Sequence, residues 1–258
     1  MDFIRTHIKN NTAWLTIDRP EAANALSKQV LEEITETLAS LERDRSIRAL
    51  VITGAGDKVF SAGADLKERR ELPQEEVPFA VKRIRETVDA VAAFPVPTIC
   101  ALNGPAFGGG FELALACDIR LCTEHTTFAL TETTLAIIPG AGGTQRLPRE
   151  IGPARAKEMI FTGKKIDAVK AEEWGLVTAV CDRDSLISET EALTDRIASN
   201  GPVALRQAKF AISEGTQTDL TTGIAIEAKA YEVTIPTSDR LEGLEAFKEK
   251  RKPEYTGK

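Results

Sequence analysis

Histidine is almost missing: His7 and His125 are the only two in 258 residues. They cannot make a conventional His-rich metal site, and no HExxH occurs. A Ser-His-Asp machine would have to use one of these two, and no serine sits in GxSxG. Cysteine is scarce as well. Cys100, Cys117, Cys122 and Cys181 form no CxxC pair, and three of them lie in apolar stretches. Reduced, mostly buried thiols of a cytosolic protein are therefore expected. No apolar run approaches the ~18 residues of a membrane span. The N-terminal MDFIRTHIKNN carries charge at once and has no apolar signal core. A cytoplasmic protein without a signal peptide is the expectation. An excess of positive charge is also lacking. The formal net charge is −6, which argues against general nucleic-acid binding. A small anionic ligand stays open, because a few local Lys and Arg residues can hold one.

What is present is an ordinary globular composition, 42% hydrophobic and 28% charged. Residues 2–8 and 12–18 read as two strands joined at Asn10-Asn11. Residues 27–43 place Val30, Leu31, Ile34, Leu38 and Leu41 at helical spacing, with Ser27 as the N-cap. Residues 47–53 and 98–103 read as buried strands. Between them lie a loop, 54–72, and a helix, 76–94, stopped by Pro95 and Pro97. Residues 103–118 predict a turn and then a helix, and 119–123 a further strand. This alternation predicts an α/β fold with largely parallel strands. From residue 143 helices dominate, at 143–149, 153–162, 167–174, 184–199, 202–214, 219–235 and 238–250, with a strand at 177–181. Asn200-Gly201-Pro202 suggests a boundary between a core, 1–200, and a helical C-terminal part, 201–258. The amphipathic stretch with Leu220, Ile224, Ile226, Tyr231, Leu241, Leu244 and Phe247 suits either a partner subunit or the chain's own core.

Three glycine-rich places stand out: SAGAD at 61–65, GGG at 108–110 and PGAGG at 139–143. None reads GxxxxGK[ST], or GxGxxG after the first strand, so phosphate-loop and dinucleotide readings are weak. GGG sits between a strand and a helix. Free N–H groups there either hold negative charge or simply belong to a tight turn. Glu112 follows at once, among Phe111, Leu113, Ala114, Leu115 and Ala116. Such a carboxylate either reaches solvent or sits in a pocket that raises its pKa and suits it to proton transfer. Glu132 is a second acid in an apolar, threonine-rich stretch. Two carboxylates near one substrate can divide the roles of acid and base. Asp118, directly before a strand, reads better as a turn or cap residue.

SAGADLKE (61–68), NGPAFGGGFELALACD (103–118) and FALTETTLAIIPGAGGTQRLPR (128–149) together resemble the enoyl-CoA hydratase/isomerase (crotonase) superfamily. The resemblance runs from DRPEAANAL (18–26) to RLEGLEAFKEKR (240–251). It implies a crotonase-like spiral of ββα units with a C-terminal helical trimerisation region. It implies hydration of a 2-enoyl-CoA thioester in fatty-acid or branched-chain acyl catabolism, as a homotrimer or homohexamer. The N–H groups of Ala64 and Gly109 would form an oxyanion hole. Glu112 would activate the attacking water, and Glu132 would protonate Cα. Ala62, Ala64, Asp65, Leu66, Lys67 and Gly109 would line the coenzyme A site, and Phe247 and Lys250 would approach the coenzyme. No cofactor is implied beyond the coenzyme A of the substrate.

The presence of both glutamates favours a hydratase over the isomerase and dehalogenase branches. LAIIPGAGGTQRLPR and TIPTSDRLEGLEAFKEKR resemble especially the 3-methylglutaconyl-CoA hydratase branch, which would place the chain in leucine breakdown. Some members of that branch bind AU-rich RNA through a lysine-rich helix. Here 28–48 sets Lys28, Arg43, Arg45 and Arg48 against five acidic residues, a departure that argues against an RNA partner.

Overall fold

Asn10 and Asn11 both adopt positive φ, 49° and 62°. Asparagine tolerates this backbone, and a two-residue turn of this kind matches the twist of the strands it joins. It closes the antiparallel hairpin of β1 (Ile4–Lys9) and β2 (Thr12–Ile17). All residues, 1–258, are described by the computed structural model. The hairpin leads to α1 (Lys28–Glu42), where the Ser27 hydroxyl accepts from the Val30 N–H at 3.3 Å. After α1 come β3 (Ala49–Gly54), α2 (Leu66–Glu71), α3 (Val77–Ala92) and β4 (Thr98–Leu102). Then follow β5 (Ala106–Phe107), α4 (Gly109–Ala116), β6 (Ile119–Thr123) and β7 (Thr127–Ala129). The second half holds α5 (Gly143–Ile151), α6 (Pro153–Thr162), β8 (Ile166–Asp167), α7 (Ala168–Glu173) and β9 (Ala179–Cys181). Four helices close the chain: α8 (Leu186–Ala198), α9 (Pro202–Gly215), α10 (Leu220–Thr234) and α11 (Ser238–Glu249).

The larger sheet has the order β1-β2-β3-β4-β6-β9, parallel from β2 onward. Its strands read as unbroken apolar runs because both faces are covered. Leu15, Leu50, Ile52, Cys100 and Leu102 point into the main core beneath α1, α3 and α4. The alternate residues Trp14, Val51, Ile99 and Leu121 pack with Leu186 of α8 on the other face. A small sheet, β5-β7-β8, stands apart and carries the entry to α4. All four cysteines are free and buried.

Two departures from the expected elements matter. The segment 54–72 is not all loop, because Asp65 accepts from the N–H groups of Lys67 and Glu68 and so starts α2. The small strands β5, β7 and β8 have no counterpart among the expected elements, because two or three residues carry no readable period. Asp118 does more than end a helix. Its carboxylate accepts from the Thr98 N–H at 2.7 Å and pairs with Lys209 of α9 at 2.8 Å. Lys209 also donates to the Val96 carbonyl at 3.1 Å, anchoring α9 to the sheet. Arg48 binds the carbonyls of Ala198 and Tyr255, holding the C-terminal segment against α8. Leu220, Ile224 and Tyr231 of α10 and Leu241, Leu244 and Phe247 of α11 remain exposed.

Glu33, buried on α1, closes the N-terminal end of the sheet. Its carboxylate accepts from the backbone N–H groups of Asp2, Phe3 and Ile4 at 2.9–3.1 Å. Glu33→Ala leaves these donors without that acceptor, and a loss of roughly 2 kcal/mol is expected. The midpoint of urea unfolding reads this; an unchanged midpoint contradicts it.

Candidate active site

The three glycine-rich segments meet at one place. The first is pinned by Ser61, whose hydroxyl donates to the Asn24 carbonyl at 2.8 Å and accepts from the Gly63 N–H. Gly63 has φ +87°, and a Cβ there would lie 2.6 Å from the Phe107 carbonyl and 2.9 Å from the Gly109 nitrogen. Only glycine permits this approach. It brings Ala64 beside the start of α4: the point a Gly109 Cβ would occupy is 3.6 Å from the Ala64 nitrogen. Neither of these two N–H groups donates to another backbone or side-chain group of the protein. Both therefore offer hydrogen bonds to the same small space at a helix N-terminus.

Glu112 projects from α4 and is 3% exposed. The third glycine segment wraps its carboxylate: the N–H groups of Ala141 and Gly143 both donate to Oε1 at 2.8 Å. That segment is fastened from outside, by Arg85 to the Gly140 carbonyl and by Arg146 to the Ala141 carbonyl. Burial pushes the Glu112 carboxyl above its ordinary pKa, while these two N–H groups and the charges of Arg146 and Arg69 pull it back.

Glu132 opens a short 3-10 turn, Glu132–Leu135, just after β7. Its carboxyl lies against Gly108, where a Cβ would come within 3.1 Å of Oε1; Gly108 has φ +50°. Its Oε2 is buried and has no hydrogen-bond partner in the protein. A buried polar atom left unpaired costs about 1–3 kcal/mol and points to a role in chemistry. Burial, reinforced by the negative charge of Glu112, pushes Glu132 up to about 7, against its own N–H and the charge of Arg69. The two acids thus have different surroundings. Glu112 is gripped by two donors, and Glu132 has an oxygen with none.

A cleft leads to this centre, with Leu26, Ala64, Arg69, Phe79 and Ile84 in its walls. Of the residues expected at the site, Ala64, Gly109, Glu112 and Glu132 converge. Asp65 also lines the cleft, but its carboxylate is taken by Arg19 at 2.6 Å and by the cap of α2. Ala62, Leu66 and Lys67 are exposed on the adjoining surface. Phe247, 87% exposed, and Lys250, at the end of α11, do not line this chain's cleft. Arg69, Arg85 and Arg146 were not foreseen. Arg146 lies three residues beyond PGAGG, a spacing that hints at a clamp only once the loop is seen to fold over Glu112.

Residues 7–258 match the family model described as enoyl-CoA hydratase/isomerase. A Bacillus subtilis protein named as an enoyl-CoA hydratase/isomerase, YngF, is 53% identical over 99% of both chains. The human mitochondrial methylglutaconyl-CoA hydratase is 46% identical over 94% of this chain and 73% of its own. The crystal structure of an enoyl-CoA hydratase from Bacillus anthracis superposes with a TM-score of 0.98 at 50% identity, covering 99% of this chain and 100% of that one.

The raised pKa of Glu132 has a consequence for stability. Below about 4.5 both folded and unfolded chains hold the proton, and this group contributes nothing. From there to about 7 the unfolded chain ionises first, so stability falls as pH rises. Glu132→Gln removes the penalty. Allowing for partial solvent access, it should stabilise the protein by about 1 kcal/mol at pH 8 and by little at pH 4.5. Thermal unfolding at both pH values measures this, and an equal shift at the two contradicts it.

Proposed function

Since this chain belongs to the enoyl-CoA hydratase/isomerase family and has its spiral α/β fold, we propose that it adds water across the 2,3-double bond of a 2-enoyl-CoA thioester. The observation that carries this reading is the pairing of two carboxyls of unlike environment, Glu112 buried and Glu132 half-buried, beside two free N–H groups.

In this mechanism the thioester oxygen accepts from Ala64 and Gly109, which polarises the double bond and makes Cβ electrophilic. Water attacks Cβ while Glu112 takes its proton; the two N–H groups on Oε1 keep the free oxygen aimed and favour the charged form before attack. Negative charge moves to the thioester oxygen, where the two donors meet it. Loss of one such donor commonly lowers a rate ~10²–10³-fold. Glu132, protonated, then delivers its proton to Cα, and the enolate collapses to the 3-hydroxyacyl thioester. A carboxyl titrating near 7 is suited to this transfer at neutral pH. The reaction calls for no metal and no redox group.

The likeness to methylglutaconyl-CoA hydratase supports a short branched acyl group, as in leucine catabolism, with crotonyl-CoA as the general alternative. A homotrimer or homohexamer, assembled through the helical residues 201–258, would cover the exposed apolar side chains of α10 and α11. Ala62, Leu66, Lys67, Phe247 and Lys250 remain proposed coenzyme contacts. Four free, buried thiols accord with a cytoplasmic location, and no helix is long and apolar enough to cross a membrane. Nucleic acid has no place in this reading.

Loss of enoyl-thioester absorbance with crotonyl-CoA tests the reaction. Turnover by Glu132→Gln should fall by roughly two orders of magnitude or more. For the intact protein, kcat/KM should decline above pH about 7 as Glu132 loses its proton. Near-normal activity of the variant rules the assignment out. Sedimentation at micromolar concentration should show a trimer or hexamer, and monomer alone would contradict the assembly.

A further inference from the structure

We propose that Arg69 selects enoyl-CoA substrates whose short acyl chain ends in a second carboxylate, by pairing with that carboxylate inside the cleft. This rests on the hydratase reading above and names the substrate class of that same site.

Arg69 lies one turn into α2; its N–H donates to the carbonyl of the capping Asp65 at 2.9 Å. The cap therefore fixes where Arg69 stands relative to Ala64 and its N–H. The side chain lines the cleft and is half-buried. It makes no ion pair and no side-chain hydrogen bond within the protein. Of the other charged groups of the cleft wall, all but Glu76 have partners, Lys28 lying 4.0 Å from Glu32. Asp65 pairs with Arg19, Glu68 accepts from the Lys28 N–H at 2.9 Å, and Arg83 lies 3.8 Å from Glu32. Glu76 stands exposed at the rim. Arg69 is thus a cation in the cleft wall with five donors and no acceptor within the protein.

Arg69 shares the cleft wall with Ala64, Leu26 and Ile84, which surround the start of α4 at Gly109, so it stands at the end of the cleft where the thioester would sit. The chemistry of the acyl group follows. A hydrocarbon tail would cover the guanidinium and leave its donors unpaired, which is unfavourable. A tail ending in a carboxylate would meet repulsion from two acids at this centre unless a cation faced it. A guanidinium supplies that charge and can bind the carboxylate through two parallel hydrogen bonds. Leu72, Phe79 and Ile84 offer an apolar wall to the few carbons between.

The test compares kcat/KM for 3-methylglutaconyl-CoA and crotonyl-CoA in the intact protein, Arg69→Met and Arg69→Lys. The ratio of the two constants should favour the dicarboxylic substrate in the intact protein. It should fall about 10²-fold in Arg69→Met and recover in part in Arg69→Lys. Because the readout is a ratio, general damage to the fold or to the two glutamates cancels. A ratio that does not change in Arg69→Met overturns the inference while leaving the hydratase standing. Wild-type protein inactive on both substrates overturns the hydratase reading, and this inference with it.

Discussion

Two backbone N–H groups on one buried carboxylate oxygen hold the site together. Ala141 and Gly143 belong to a loop remote in sequence from Glu112, and their donation to Oε1 joins that loop to α4. Without them, a carboxylate 3% exposed would have to give up its charge or its burial. With them it keeps one oxygen fixed and the other free. Much of the surrounding architecture serves this contact. Arg85 and Arg146 reach from α3 and α5 to fasten the loop from its outer side. The small sheet delivers both acids: its parallel strands β5 and β7 lead into α4 and into the Glu132 turn.

Around that fixed point the environments of the two glutamates diverge, and this difference is what acid–base chemistry requires. Burial acts on both. At Glu112 it is opposed by hydrogen bonds to the charged form, and at Glu132 it is not relieved at Oε2. The desolvation that unbalances Glu132 also lowers the stability of the ionised protein. A folded chain keeps such a group only where the rest of the core compensates, here through two covered sheet faces. Arg69, in the cleft wall with Ala64, pairs with no acid of the protein.

Much was legible from the residues because it depends on short-range rules. The Asn10-Asn11 turn, the Ser27 cap, the apolar stripe of α1 and the two-sided strands follow from local backbone and burial preferences. The glycine clusters and the two glutamates were visible as chemistry out of place in apolar stretches, and the family likeness assigned them roles. The capped helix inside 54–72 was legible in principle, since Asp65 is an N-cap residue, but a six-residue helix has too few positions to show a period.

By itself, the sequence determined the α/β class, the order of the longer elements, the buried thiols and the candidate pair Glu112 and Glu132. Those features depend on neighbours along the chain, whose spacing sets which face they share. Only the tertiary structure decided that three glycine segments converge, that Ala64 and Gly109 turn free N–H groups to one space, and that Arg69 stands unpaired beside them. It also placed Phe247 and Lys250 away from this cleft and tied Asp118 to Lys209. The reason is physical: hydrogen bonding and desolvation depend on through-space neighbours tens of residues apart, and no local pattern encodes which of those will meet.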